Sequence, residues 1–263
     1  MSIINHHPTG MHPFSISLQS SDITTMSGVA HRELTENGCN DVLIAHIVPA
    51  LQEHHISPDR LRRHMDLIAS LKIANLPKPR TPYPQNLTTQ KGNFAEVFLA
   101  EYLGSTTTTQ LPIYRLRYNP NPDQSMKGDD VLLFDLDSNP VRIIVGESKF
   151  RGTPDKQAVL DMVDGLMRSS KAGLPVSLMF VADILFQENK LELGKKVQDC
   201  AVLFATNKLH IDYVGLLMSN NNAKNHINKH TENILHNLLV ISLGVQNPEI
   251  IVAQAFERLE GCI

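Results

Sequence analysis

Between Asp130 and Lys149 the chain spells out a hairpin whose ends are charged. Asp130 opens an apolar run, Val131-Leu132-Leu133-Phe134-Asp135-Leu136, and Asp137-Ser138-Asn139-Pro140 supplies turn residues. The chain returns as Val141-Arg142-Ile143-Ile144-Val145-Gly146-Glu147-Ser148-Lys149-Phe150. Alternate residues of a strand share a face, so Glu147 and Lys149 point the same way as Val141, Ile143 and Val145. Two charges at the end of a row that otherwise asks for burial are costly unless something compensates them. A divalent metal bridging Asp130 and Glu147 relieves that cost and leaves Lys149 to face a phosphate or an attacking water. The plainer reading of Glu147 and Lys149 is a surface ion pair worth about 0–1 kcal/mol.

Composition narrows the setting. A chain of 263 residues that is 42% apolar holds one large domain or two modest ones around a real core. No apolar run approaches the roughly 20 residues of a membrane span, and Met1–His7 lacks the basic start and apolar stretch of a secretory signal. No membrane association is expected. Cys39, Cys200 and Cys262 are odd in number and far apart, without Cys-x-x-Cys. That argues against a disulfide framework or zinc ribbon and for a reducing cytoplasm. The twelve histidines show no metal-ligand spacing, and the eight that precede residue 65 are expected on the surface or at caps. No Gly-rich phosphate loop is present, so ATP hydrolysis is not expected. The net charge of -3 is unlike the basic surplus of a stand-alone DNA-binding protein. Either basic groups cluster locally, as at Arg60-Leu61-Arg62-Arg63, Arg115, Arg117 and Lys195-Lys196, or another subunit supplies the grip.

Along the chain, residues 1–30 are polar and weakly periodic, a strand-rich or partly disordered lead-in. Val42, Leu43, Ile44, Ile47, Val48 and Leu51 mark a helix from Asp41, and Ser57-Pro58-Asp59 starts another with Ser57 as N-cap. Pro77, Pro79, Pro82 and Pro84 form a connector, which divides a partly helical region over 1–84 from a second domain over 85–263. Phe94–Leu103 is a helix apolar on most sides and hence buried, with Glu96 among its apolar residues. The alternation of Ile113–Tyr118 predicts a strand, followed by the hairpin. A helix is expected near 155–171, with Thr153 as N-cap and Pro154 first, then a buried strand at 176–182. Beyond it come a helix near 189–204, a strand at 209–218, a helix near 224–238, a strand at 239–243 and a helix near 248–260.

The order helix with Glu96, three strands, helix, strand resembles the core of the PD-(D/E)xK nuclease superfamily. Its motif is similar to Gly128-Asp129-Asp130 followed by Glu147-Ser148-Lys149, and its frequent helical glutamate matches Glu96. A narrower pattern, Lys91-Gly92-Asn93-Phe94-Ala95-Glu96, Lys127-Gly128-Asp129-Asp130 and Gly146-Glu147-Ser148-Lys149, resembles the nuclease subunits of the Hachiman anti-phage system over roughly residues 85–260. The proline of the superfamily's name is absent, since Asp129 precedes Asp130, and which aspartate binds metal stays open.

The resemblance implies an α/β fold with a mixed central sheet flanked by helices. It also implies a Mg²⁺- or Mn²⁺-dependent deoxyribonuclease that forms a heterodimer with a superfamily 2 helicase in bacterial immunity and cuts DNA. Asp130, Glu147, the Ser148 carbonyl and Glu96 would be the metal ligands, hard oxygens of the kind magnesium takes. Lys149 would orient water or balance developing charge, and Gln157 could reach the water or a phosphate, although a helix-surface glutamine is the simpler reading. Two other readings stand beside it. One is an inactive nuclease-fold subunit that binds a helicase or DNA. The other is a stand-alone restriction or repair nuclease.

Overall fold

In the computed structural model, which describes residues 3–73, 76–77 and 80–261, six strands form one mixed sheet. They are β1 (Leu18–Thr24), β2 (Ala30–Glu36), β3 (Val131–Asp135), β4 (Val141–Phe150), β5 (Leu209–Ser219) and β6 (Leu238–Gly244). Their order is β1-β2-β6-β5-β4-β3. The four central strands are parallel, whereas β1 and β3 close the edges antiparallel. Parallel strands buried on both faces read as near-continuous apolar runs, and Leu238–Gly244 is buried at every residue.

Helices cover both faces. One carries α1 (Pro13–Ser17), α2 (Asn40–His55), α4 (Leu87–Thr106) and α9 (Pro248–Glu260), packed on Ile144, Leu216 and Ile241. The other carries α5 (Lys156–Lys171), α6 (Leu178–Gln187), α7 (Leu191–Ala205) and α8 (Ala223–His230), packed on Ile143, Val145 and Val240. The period-two alternation of β4 thus sends Ile143 and Val145 to one layer and Ile144 to the other. α4 is apolar on nearly every side and is buried over most of its length, as its composition demands. Its start is set by Asn86, whose side chain accepts from the amides of Thr88 and Thr89 at 2.8 and 3.4 Å. A further helix, α3 (Pro58–Ile73), lies outside these layers and buries none of its described residues. Ser57 caps it by accepting from the Arg60 amide at 3.3 Å.

Several expectations are corrected. Ile113–Tyr118 is no strand: Arg115–Tyr118 is a 3-10 turn. The buried residues are Ile113 and Leu116, three apart, and the arginines that imitated the polar half of an alternation turn to specific partners instead. Residues 176–182 are not a strand either, because Leu178–Gln187 is helical. A short apolar run does not distinguish a buried strand from a buried helix; here Leu178, Val181, Ala182 and Leu185 are buried at helical spacing. α5 is capped by Asp155, whose carboxylate accepts from the Ala158 amide at 2.6 Å, two residues later than Thr153. α8 ends at His230, well before 238. The polar lead-in holds α1 and β1, and β2 follows it.

The histidines also depart from expectation. His31, His54 and His55 are buried. His31 Nε2 meets Ser242 Oγ at 2.8 Å, and His55 bonds the Leu51 carbonyl and Asn93 at 2.7 and 2.9 Å. Burial pushes the His31 and His55 imidazoles down to about 4. Cys39 and Cys200 are free thiols. Cys262 and Pro79 lie outside the described residues. Among the described residues no helix is long and apolar enough to cross a membrane.

The sheet runs across the proline-rich connector: β2 pairs with β6, and α2 packs on α4 and α9. A chain starting at residue 85 would leave the fully buried β6 as an edge and strip the cover from α4. Thermal melts of that truncation should show loss of the cooperative transition seen for the full chain. A sharp, independent melt would mark residues 85–263 as a self-sufficient domain.

Candidate active site

β4 is longer than its antiparallel neighbour. The register pairs Val131 with Gly146, so residues 147–150 keep β5 on one side and have no β3 partner on the other. Asp130 closes that open edge in place of a strand. Its Oδ2 accepts from the Ser148 amide at 2.8 Å and from the Ser148 hydroxyl at 3.0 Å. The amide and carbonyl of one strand residue face the same edge, so the Ser148 carbonyl is turned to this opening as well.

Glu147 and Lys149 alternate with Ser148 and continue the row of Ile143 and Val145 toward α5. The Lys149 Nζ lies 2.5 Å from Glu147 Oε1. α5 can approach this pair only because residue 165 is glycine: a Cβ there would sit 2.4 Å from the Glu147 Cδ. Burial, and then the charge of Asp130, push the Glu147 carboxyl up to about 7 against the pull of Lys149.

Glu96 enters from α4. Its two oxygens take a fork of hydrogen bonds from Arg115 Nε and Nη2 at 2.7 and 2.8 Å, and Arg115 Nη2 also lies 3.2 Å from Asp130 Oδ1. Burial drives the Glu96 carboxyl up to about 7 despite Arg115. Burial also works against the Arg115 charge, yet Glu96 and Asp130 hold the guanidinium more firmly protonated than usual.

The two adjacent aspartates have separate jobs. Asp129 accepts from the Ser169 hydroxyl at 2.6 Å and the Ser177 amide at 2.8 Å, while its own amide donates to Ser177 Oγ at 2.9 Å. It ties the entrance of β3 to the end of α5 and the start of α6. Asp130 instead faces Arg115 and Ser148. Asp129→Ala would orphan buried donors, which costs about 1–3 kcal/mol. Its expected signature is a lowered melting temperature, which calorimetry would read; Asp130→Ala should melt closer to wild type.

Glu96, Asp130, Glu147, Ser148 and Lys149 all line one cleft of about 640 Å³. Its basic lining is Lys91, Arg115, Lys127, Lys149, Arg151 and Arg168, six cations against four carboxylates including Asp129. Charge that is absent from the chain's total is thus gathered locally. Gln157 is not among the lining residues; its amide donates to Asp161 at 2.7 Å on the exposed side of α5. Arg115, Arg168 and Gly165 were not legible as site residues. The one available sign was a pair of arginines, Arg115 and Arg117, inside an otherwise apolar and aromatic stretch.

The donor chemistry suits a hard divalent cation. Magnesium is commonly held by only one or two carboxylates, with water and phosphate completing its shell, and Asp130 and Glu147 offer two. Among the described residues no group of three His, Cys, Asp or Glu side chains forms a ready cage, because Glu96 is turned onto Arg115.

The raised Glu147 pKa fixes a sign. The folded carboxyl retains its proton up to about 7, whereas an ordinary glutamate loses it near 4.5. Between those values the folded state binds more protons than the unfolded one, so stability falls as pH rises through that window. Melting curves taken in EDTA should show this decline in the wild type and a flatter profile in Glu147→Gln.

A family model described as HamA matches residues 14–259. A protein from Bacillus cereus described as Hachiman protein HamA is 34% identical over 259 residues, which cover 95% of this chain and 93% of that protein. The match takes in the N-terminal strands and helices as well as the cleft, and on that extent the chain belongs to the HamA family.

Proposed function

We propose that this chain is a divalent-metal-dependent deoxyribonuclease that hydrolyses phosphodiester bonds in the Asp130–Glu147–Lys149 cleft. It works in the cytoplasm beside a helicase subunit in anti-phage defence. The observation that carries this reading is the β4 overhang, which brings two carboxylates, a backbone carbonyl and a lysine to one open, cation-lined cleft. Membership of the HamA family, one member of which is described as a Hachiman protein, supports the defence setting.

Asp130, Glu147 and the Ser148 carbonyl would hold Mg²⁺ or Mn²⁺, and Glu96 would join only by leaving Arg115. When bound, such a cation polarises a phosphate, lowers the pKa of water and neutralises the leaving oxygen. Glu147 is poised for that exchange, because its charge is disfavoured by burial and by Asp130 until a cation arrives. Lys149, held against Glu147, is placed to orient water or to balance charge on the phosphate. Arg168 and Lys127, on the cleft wall, suit the DNA backbone. The chain carries no phosphate loop for ATP, so a superfamily 2 helicase partner would supply translocation.

The fork between Arg115 and Glu96 favours a second reading, an inactive platform that keeps its carboxylates neutralised internally. Plasmid cleavage separates the two. Wild type with Mg²⁺ should degrade DNA and stop in EDTA. Glu147→Ala and Lys149→Ala should each lose about 10²–10³-fold in rate, the usual scale for one transition-state contact, while melting no lower than wild type. Undiminished cleavage by Glu147→Ala would place the chemistry elsewhere, and no cleavage by the wild type with its partner would favour the platform.

A further inference from the structure

A second groove adjoins the cleft. It holds about 390 Å³, and Asn93 lines both. Its walls come from α3, the 3-10 turn and the segment Arg80-Thr81-Pro82. Four arginines face it, Arg60, Arg63, Arg80 and Arg117, and no Asp or Glu is among the described residues that line it.

Nearby carboxylates compensate this charge only in part. Asp123 pairs with Arg80, and Glu53 lies 3.7 Å from Arg117. Asp59 is taken by Arg62, outside the groove. Arg60 donates to the Arg117 carbonyl at 3.2 Å, which leaves its charge unneutralised. Arg63 makes no hydrogen bond or ion pair among the described residues. Arg60 and Arg63 stand three apart on α3 and so share a face. Like charges gathered in one concavity repel each other, and an arrangement of this kind is favourable only when an anion is brought to it. Guanidinium groups match phosphate in particular, through paired N–H donors.

The 3-10 turn links the two spaces. Arg115 and Arg117 lie two residues apart on it. Arg115 reaches into the cleft to Glu96 and Asp130, while Arg117 lines the groove, stacked 4.3 Å from the Tyr114 ring. Asn93 stands at the junction with its amide held by His55.

We infer that this groove is a track for the phosphate backbone of DNA, which leads a strand past Asn93 into the cleft. The identity of the ligand rests on the nuclease reading. An acidic peptide would satisfy the same arginines, but its binding would not require a groove that opens onto the carboxylates and lysine of the cleft. A polynucleotide does require that continuity, because the phosphates on either side of the cleaved bond must lie somewhere along the protein.

The test is DNA binding by the full chain in EDTA, where cleavage is silent, with a labelled short duplex and a labelled single strand titrated over a range of salt. In the double variant Arg60→Glu/Arg63→Glu, affinity should fall about tenfold or more, equally for unrelated sequences. The slope of log K against log salt should shrink by about 2, the release of two phosphate contacts. Neither side chain is buried, so melting should be unchanged. Unchanged DNA affinity and slope would overturn the proposal, as would an absence of DNA binding by the wild type at low salt. If DNA binding persists while a co-expressed partner no longer co-purifies, the groove is a protein-docking face and the proposal is wrong. Cleavage by the wild type reports separately. Loss of binding in the variant without any wild-type cleavage would keep the track and remove the nuclease reading. Cleavage together with unaltered binding would do the reverse.

Discussion

The candidate site depends on β4 outrunning β3. Strand pairing ends where Val131 meets Gly146, and from Glu147 onward one edge of β4 is open. An open edge inside a folded protein leaves amide and carbonyl groups to be satisfied. Asp130 satisfies the first of them by accepting from Ser148. The same termination makes room for the cleft, points the Ser148 carbonyl into it and sets Glu147 and Lys149 beside it. Gly165 then allows α5 to close over Glu147 without displacing it. Structural need and chemical opportunity are met by the same few residues.

Electrostatics give the cleft its tension. Three carboxylates, Glu96, Asp130 and Glu147, converge on a partly dry space, and each must be compensated. Lys149 answers Glu147, and Arg115 answers Glu96 and reaches Asp130. The pressure that remains shows in the raised Glu96 and Glu147 carboxyls. A site of this kind gains from a further cation, and Arg115 is the internal group that such a cation would have to displace before Glu96 could join. The 3-10 turn bearing Arg115 is anchored to α2 through Arg117, which donates to the Glu53 carbonyl at 2.7 Å, and to α3 through Arg60. The N-terminal helices therefore hold the geometry of a cleft to which they contribute no lining residue of their own.

Overall charge was a poor guide to local charge. A total of -3 argued for help from another subunit, yet six cations line the cleft and four arginines the adjoining groove. The acidic residues sit elsewhere, many in exposed pairs such as Lys195 with Asp199 and Lys196 with Asp137. A sum over the chain carries no positions, and a fold sorts charges by face.

Local patterns in the chain by themselves determined the hairpin, the buried helix around Glu96 and most later elements, because strand alternation and all-round apolarity are readable within a few residues. They also singled out Glu147 and Lys149 as charges on an apolar row. Tertiary structure alone decided the rest. Ile113–Tyr118 alternates like a strand, but Arg115 is recruited across the fold by Glu96 and the segment turns instead. Residues 176–182 carry strand-forming side chains, yet the Asp129 carboxylate accepts from the Ser177 amide at the threshold of a helix. The choice between Asp129 and Asp130 was invisible in sequence, since adjacent identical residues differ only in what surrounds them. One is consumed in tying α5 to α6, and the other is left facing the cleft, because contacts between residues distant in the chain are made only when the whole sheet has assembled.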